Sequence, residues 1–193
     1  MGRSIAEIIT LISEVERVAG PDTKATVVGE SVVDSSSKPK DRALWLAAAI
    51  ERLRQCVDQA SYEEIMHGCG AQCACRHRAD KTALQRRRQH PSLDAFLAEE
   101  QRNPPPGTRL VVEETVVYQH YLPAEAKGGH KCFCPVMRHL PRAVSPPDGY
   151  CECSRSYLEQ VWSAILGQAA DVEVVETCLT GAQECVFRIQ LPK

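Results

Sequence analysis

The sequence predicts an α+β fold, a helical N-terminal half followed by an antiparallel β-sheet with a helix packed on it. Three observations carry this. Apolar residues recur at helical spacing, between capping residues, up to about residue 103. Pro104-Pro105-Pro106-Gly107 then breaks the chain, and the run after it is rich in Val, Thr and Tyr. Further on, an amphipathic helical stretch precedes two alternating strands. The expected organisation is a helical region over 1–103 and an α+β domain over 104–193, together one compact unit.

The elements follow in order. Ser4 and Glu7 form a capping box, Ile5, Ile8, Ile9, Ile12 and Val15 line one helix face, and Gly20-Pro21 ends that helix. Asp41 caps a second helix to about Ala60, with Leu46, Ile50, Leu53 and Val57 on one side. Ser61 and Glu64 open a third, on which Tyr62, Ile65, Met66, Cys69 and Cys73 share a face. Ser92 caps a short helix. Thr108–Tyr121 reads as a strand, Gly128-Gly129 as a turn, and His130–Val136 as its partner strand. Ser156 and Glu159 form a capping box for a helix with Tyr157, Leu158, Val161, Trp162, Ile165 and Leu166 on its apolar stripe. The closing strands, Asp171–Leu179 and Glu184–Leu191, turn at Gly181.

Composition excludes several classes. A hydrophobic fraction of 44% supports an ordinary core, so the cysteines are not needed as staples. A net charge of -2 does not point to nucleic acid or an anionic membrane. The basic run Arg76–Arg88 lacks interleaved aromatics and reads as a solvated face. The N-terminal stretch lacks the unbroken apolar run of a signal peptide, and no segment is apolar enough to span a membrane. The expectation is a cytoplasmic protein, in which paired cysteines are metal ligands or catalytic groups rather than disulfides.

Ten cysteines are the main chemical signal. Cys73, Cys132 and Cys151 each begin a Cys-x-Cys pair, and Cys69 precedes Cys73 by one helical turn. Cys69 and Cys73 share a helix face, Cys132 and Cys134 a strand face, and Cys151 and Cys153 enter a helix. Cys75 lies about 200° round from Cys73 at ~100° per residue, off that face. Cys69, Cys73, Cys132, Cys134, Cys151 and Cys153 are therefore candidate ligands for zinc or an iron–sulfur cluster. The alternatives are thiol chemistry without metal, and cysteines packed as small hydrophobes. Cys153, immediately before a helix N-terminus, is the candidate low-pKa thiolate. Glu176 shares a face with Val172, Val174 and Cys178; if that face is inward, it is a buried carboxylate and a candidate base. Cys178 and Cys185 either join the main site or form a separate pair across the last hairpin. His120 and His130 are candidate acid–base groups or plain surface histidines. Tyr118, Tyr121, Phe133, Tyr150, Tyr157 and Trp162 line a small-molecule pocket or pack the core.

The segment Tyr150–Pro192, with a Cys before an amphipathic helix and then Gly181, Cys185 and Phe187, resembles the 4-vinyl-reductase-like small-molecule-binding domain. It is also similar to a set of Cys-rich bacterial proteins, some named L-2-amino-thiazoline-4-carboxylate hydrolase, as are Met66–Cys73 and Cys132–Pro135. The match covers roughly 130–192, with weaker support at 62–75. The resemblance implies a zinc ion held by three cysteines and a glutamate near a hydrophobic pocket; by position these are Cys151 or Cys153, Glu176, Cys178 and Cys185.

Two functions follow. One is a cytosolic sensing protein with a Cys-rich metal or Fe–S site beside a small-molecule pocket. The other is a thiol- or metal-dependent hydrolase or desulfidase, using Cys153 or a metal-activated water with Glu176 as base, on a small sulfur- or nitrogen-containing substrate. A structural interaction domain using the basic run is a third, weaker reading. The expected partners are a small-molecule ligand or substrate and, as an option, a second copy of the chain in a homodimer.

Overall fold

The computed structural model describes residues 5–30, 32–123 and 128–192. Among the described residues it is α+β: six α-helices, mostly N-terminal, and one four-stranded antiparallel sheet. The helices are α1 (Ala6–Val28), α2 (Pro39–Cys56), α3 (Gln59–His77), α4 (Ala79–Arg87), α5 (Leu93–Arg102) and α6 (Glu152–Leu166). The strands are β1 (Thr108–Glu113), β2 (Val116–Tyr121), β3 (Asp171–Glu176) and β4 (Cys185–Gln190). Among the described residues, no helix is long and apolar enough to cross a membrane. The chain groups into two compact units, each built from two separated stretches. Residues up to 69 with 128–152 make unit 1; residues 70–123 with 153–192 make unit 2.

In unit 1, α1 packs on α2. Ile8, Leu11 and Val15 of α1 and Leu46, Ile50 and Leu53 of α2 are buried, whereas Ile9, expected on the apolar face of α1, is exposed. Gly20, at φ 82°, kinks α1 before Pro21, and the helix resumes rather than ending there. The expected cap Ser4 lies outside the described residues. Lys38 precedes α2, with Pro39 at its first position. Asp58, not Ser61, caps α3: its carboxylate accepts the Ser61 N–H at 2.8 Å. That donation holds the Asp58 pKa below its usual value. The expected strand at 130–136 is absent. Gly129 bridges Pro141 alone, and a short 3-10 turn at Met137–His139 buries Met137 and, beside it, Val136 and Leu140. Cys132 and Cys134 thus lie in a loop, because the prolines and glycines around them leave no room for a ladder. Arg54 and Tyr62 both donate to the Asp148 carbonyl, at 3.0 and 3.2 Å, which holds the Pro-rich loop.

In unit 2 the strand order is β1-β2-β4-β3. The predicted single strand over 108–121 is a hairpin, turned at Glu114-Thr115 with Glu114 at φ 50°. Register pairs Val117 with Ile189 and Tyr121 with Cys185, so one sheet face presents Leu110, Val117, Phe187, Ile189 and Val172 to the core. Leu158, Trp162 and Ile165 of α6 and Phe96 and Leu97 of α5 complete that core. Ser92 caps α5 as expected, accepting the Ala95 N–H at 3.1 Å. The basic run is mostly exposed, with Arg86 tied to Glu100 on α5.

Two corrections bear on the site. A β-bulge between Val174 and Glu176 shifts the register, so Glu176 pairs with Val186 instead of continuing the Val172–Ile189, Val174–Phe187 series. Glu176 therefore faces out and is exposed, not a buried carboxylate. Helix α6 begins a turn earlier than its Ser156 cap predicts, which places Cys153 within the first turn and Ser156 fully buried.

A candidate ligand cleft and the placement of the thiols

Unit 2 contains a cleft of about 270 Å³. Its floor is the core face of the hairpin, with Leu110 from β1 and Tyr121 from β2. Tyr157, Leu158 and Trp162 of α6 project from one side, Phe96 from α5, and the Arg86–Glu100 pair lies on the far wall. The lining mixes aromatic and apolar side chains with polar groups, which come from His77, Thr82, Thr108 and Gln119 as well as the tyrosine hydroxyls and the Trp162 indole.

Those polar atoms are specific. Trp162 is 1% exposed, and its indole Nε1–H is buried without a hydrogen-bond partner among the described residues. Such a donor leaves desolvation uncompensated unless something else accepts from it. Burial raises the Tyr121 pKa above its usual value, with Tyr157, Cys185 and Cys73 adding to the effect. Burial, then the neighbouring Cys73, raises that of Tyr157. Both phenols are therefore neutral hydroxyls across the physiological range. Tyr121 also meets Phe187 edge-on, with centroids 5.5 Å apart, which fixes its ring. The guanidinium of Arg86 is neutralised by Glu100, so the cleft offers no free charge of its own.

All ten cysteines lie outside disulfides, and burial sorts them. Cys69, Cys73, Cys132, Cys134, Cys151 and Cys153 are half-buried; Cys56 and Cys75 are exposed; Cys178 and Cys185 are buried. Cys73 and Cys153 lie in unit 2, with Cys178 and Cys185; Cys69, Cys132, Cys134 and Cys151 lie in unit 1. Within unit 1, among the described residues, the thiols do not supply three donor atoms within 4.8 Å of one another. Cys134 Sγ lies 3.0 Å from the Tyr150 hydroxyl. Burial raises the Cys134 pKa, against the pull of the Met137 and Val136 N–H groups and of Tyr150. In unit 2, α3 and α6 touch at Gly70, where an added methyl would come within 2.1 Å of the Cys153 carbonyl oxygen. The Cys178 N–H donates to Cys185 Sγ at 3.3 Å, so these two form their own pair beneath the sheet. His120 is held in a surface cluster, 2.9 Å from Arg109 and 3.2 Å from Glu184, and His130 bonds the Val144 carbonyl.

Sequence reading grouped Tyr121, Tyr157 and Trp162 as pocket or core residues, and they are both. It missed Arg86, Glu100 and Leu110, because no motif links α4, α5 and β1; only tertiary packing gathers them.

The family model for a family of unknown function, DUF6144, matches residues 2–193. No curated protein matches. Among solved structures, the chain is similar to an H-NOX protein from S. oneidensis in the Fe(II)NO ligation state, at 12% identity and a TM-score of 0.50, covering 97% of this chain and 98% of that one. It is also similar to a triple-alanine mutant of an H-NOX protein from S. oneidensis in the Fe(II) ligation state, at 13% identity and a TM-score of 0.52, covering 97% and 95%. A third, from work on heme distortion in the H-NOX family, has 13% identity and a TM-score of 0.46, covering 97% and 94%. At these identities the likeness is one of fold.

Proposed function

We propose, for a chain that belongs to this DUF6144 family of unknown function, that it is a small-molecule-binding domain of the sensing kind, with its ligand in the aromatic cleft of unit 2. The observation that carries the reading is the buried Trp162 indole N–H, which has no hydrogen-bond partner among the described residues and belongs to a cleft lined by aromatic, apolar and polar side chains. The ligand such a cleft selects is compact, neutral and mostly apolar, with one acceptor for Trp162. The fold shared with H-NOX proteins, whose structures were determined in Fe(II) and Fe(II)NO states, supports a ligand-binding role. So does the resemblance of residues 130–192 to the 4-vinyl-reductase-like domain. A heme does not fit this cleft: at about 270 Å³ it is at the lower end of sites for drug-sized ligands, and a porphyrin is larger than those.

Two isosteric probes test this, acetophenone and α-methylstyrene, which differ by a carbonyl against a vinylidene group. Both should bind, with the ketone tighter by about two- to tenfold, the yield of one net hydrogen bond. The Trp162 indole resonance in a ¹H–¹⁵N spectrum should move downfield with the ketone only, and Trp162→Phe should abolish the preference. Absence of binding by either probe would sink the reading.

The finer reading makes Cys69, Cys73, Cys132, Cys134, Cys151 and Cys153 ligands for zinc or an iron–sulfur cluster. Its support is that these six share one half-buried state while Cys56 and Cys75 are exposed. Metal analysis and a spectrum of anaerobically purified protein test it, and metal-free, colourless protein would overturn it. The hydrolase or desulfidase alternative retains Cys153 as its thiol but loses Glu176 as a buried base.

A further inference from the structure

Unit 1 holds a buried cation with no counter-ion among the described residues. Arg42, in the first turns of α2, is 8% exposed, and its Nε and Nη1 atoms are buried without an acceptor. Among the described residues it enters no ion pair. Its neighbour Asp41 is exposed. Other arginines of the same unit are satisfied: Arg52 donates to the Val27 and Val28 carbonyls, Arg142 to that of Gly129, and Arg17 to Glu14 and Glu64. A guanidinium cannot relieve its burial by losing its proton, as a lysine can. It requires an acceptor, and one that carries negative charge offsets the buried cation as well as satisfying its N–H groups.

The surroundings add positive charge. The 3-10 turn Met137–His139 packs on α2. The His139 pKa is lowered by burial, then by the charges of Arg138 and Arg42. Two guanidinium groups and an imidazole thus lie within one another's fields. Arg138 and His139 are exposed and form the solvent side of this group, and Arg42 is its buried member.

We propose that Arg42, with Arg138 and His139, forms a binding site for a small oxyanion, a carboxylate or a phosphate, in unit 1. The site is independent of the aromatic cleft, which lies in unit 2 and takes a neutral ligand. The shared chemistry is an anionic oxygen accepting from guanidinium N–H groups. The source is separated by comparing sodium acetate, sodium phosphate and sodium chloride at matched ionic strength on the full chain.

Thermal unfolding and the His139 imidazole resonance are the readouts. A bound oxyanion should raise Tm, by about 3 °C or more at a tenfold excess over its Kd. It should also raise the His139 pKa, because it offsets the two neighbouring cations. Response to phosphate alone identifies a phosphate site, to acetate alone a carboxylate site, and to both a general oxyanion site. Arg42→Met should remove the response and by itself raise the His139 pKa. If that variant fails to fold, the wild-type resonance decides. An effect of acetate and phosphate no larger than that of chloride, or a full response retained in Arg42→Met, would overturn the proposal.

Discussion

Replacing Gly70 with alanine tests the packing that sets α3 against α6. The new methyl would stand 2.1 Å from the Cys153 carbonyl oxygen, 2.7 Å from Ser156 Cβ and 2.9 Å from the Tyr157 nitrogen. Two of these are backbone atoms, so no rotamer change relieves the clash and the helices must part. Overpacking of this kind costs roughly 1–3 kcal/mol, and the rigid obstacle puts Gly70 in the upper part of that range. Alanine gains about 1 kcal/mol over glycine within a helix. The net expectation is a loss of about 1–2 kcal/mol, or a fall in Tm of ~2–8 °C at this chain length. The assay is thermal unfolding followed by far-UV circular dichroism, with a urea titration to check that the m-value is unchanged. The sign decides. If Gly70 were an ordinary helical glycine, the substitution would raise Tm, and a rise would refute the close approach of α3 to the first turn of α6.

Three further outcomes are expected. Iodoacetamide should modify Cys56 and Cys75 first and Cys178 and Cys185 last, with Cys134 slow because burial raises its pKa; peptide mass spectrometry reads the order. Glu176→Ala should leave probe binding unchanged and stability within about 0.5 kcal/mol, as for other exposed positions, by calorimetry and chemical unfolding. Ser92→Ala removes the side-chain cap on α5 and should cost about 1 kcal/mol, a Tm fall of ~2–4 °C in the same melting assay.

Local periodicity was legible wherever one element answers to one face. Leu46, Ile50 and Leu53 are buried on α2, and Cys185, Phe187, Ile189 and Leu191 are buried on β4 and just beyond it, because burial on one side writes itself into the spacing. What escaped depends on single residues whose chemistry does not announce their geometry. The β1–β2 turn uses Glu114 at positive φ, where a glycine or asparagine would have signalled it, so two strands read as one. The bulge at Val174/Glu176 leaves the alternation of β3 intact in sequence while reversing the face of Glu176 in space. Cys132 and Cys134 have strand spacing but sit among prolines and glycines that keep them in a loop. The helical angle placed Cys75 off the face of Cys69 and Cys73, and it is exposed while those two are half-buried. The unpartnered Arg42 and Trp162 were not legible, since absence of a partner is a property of three-dimensional packing alone.

The strand order has a consequence for the time course of folding. β1 and β2 adjoin in sequence and can pair as soon as they leave the ribosome, but β2's other edge is completed by β4, which begins only at Cys185. Among the described residues, β3 likewise pairs with β4 alone. The central position in the sheet is therefore filled last in synthesis, and until then two strand edges stand open. The Thr115 carbonyl of the early hairpin then receives both the Leu191 N–H and the Gln190 side chain, at 2.8 Å each, latching the late strand to the early one. A nascent chain of this protein carries the open edge of its hairpin from the completion of β2 at Tyr121 until β4 begins at Cys185, the interval in which misassociation competes with folding and a chaperone has something to hold.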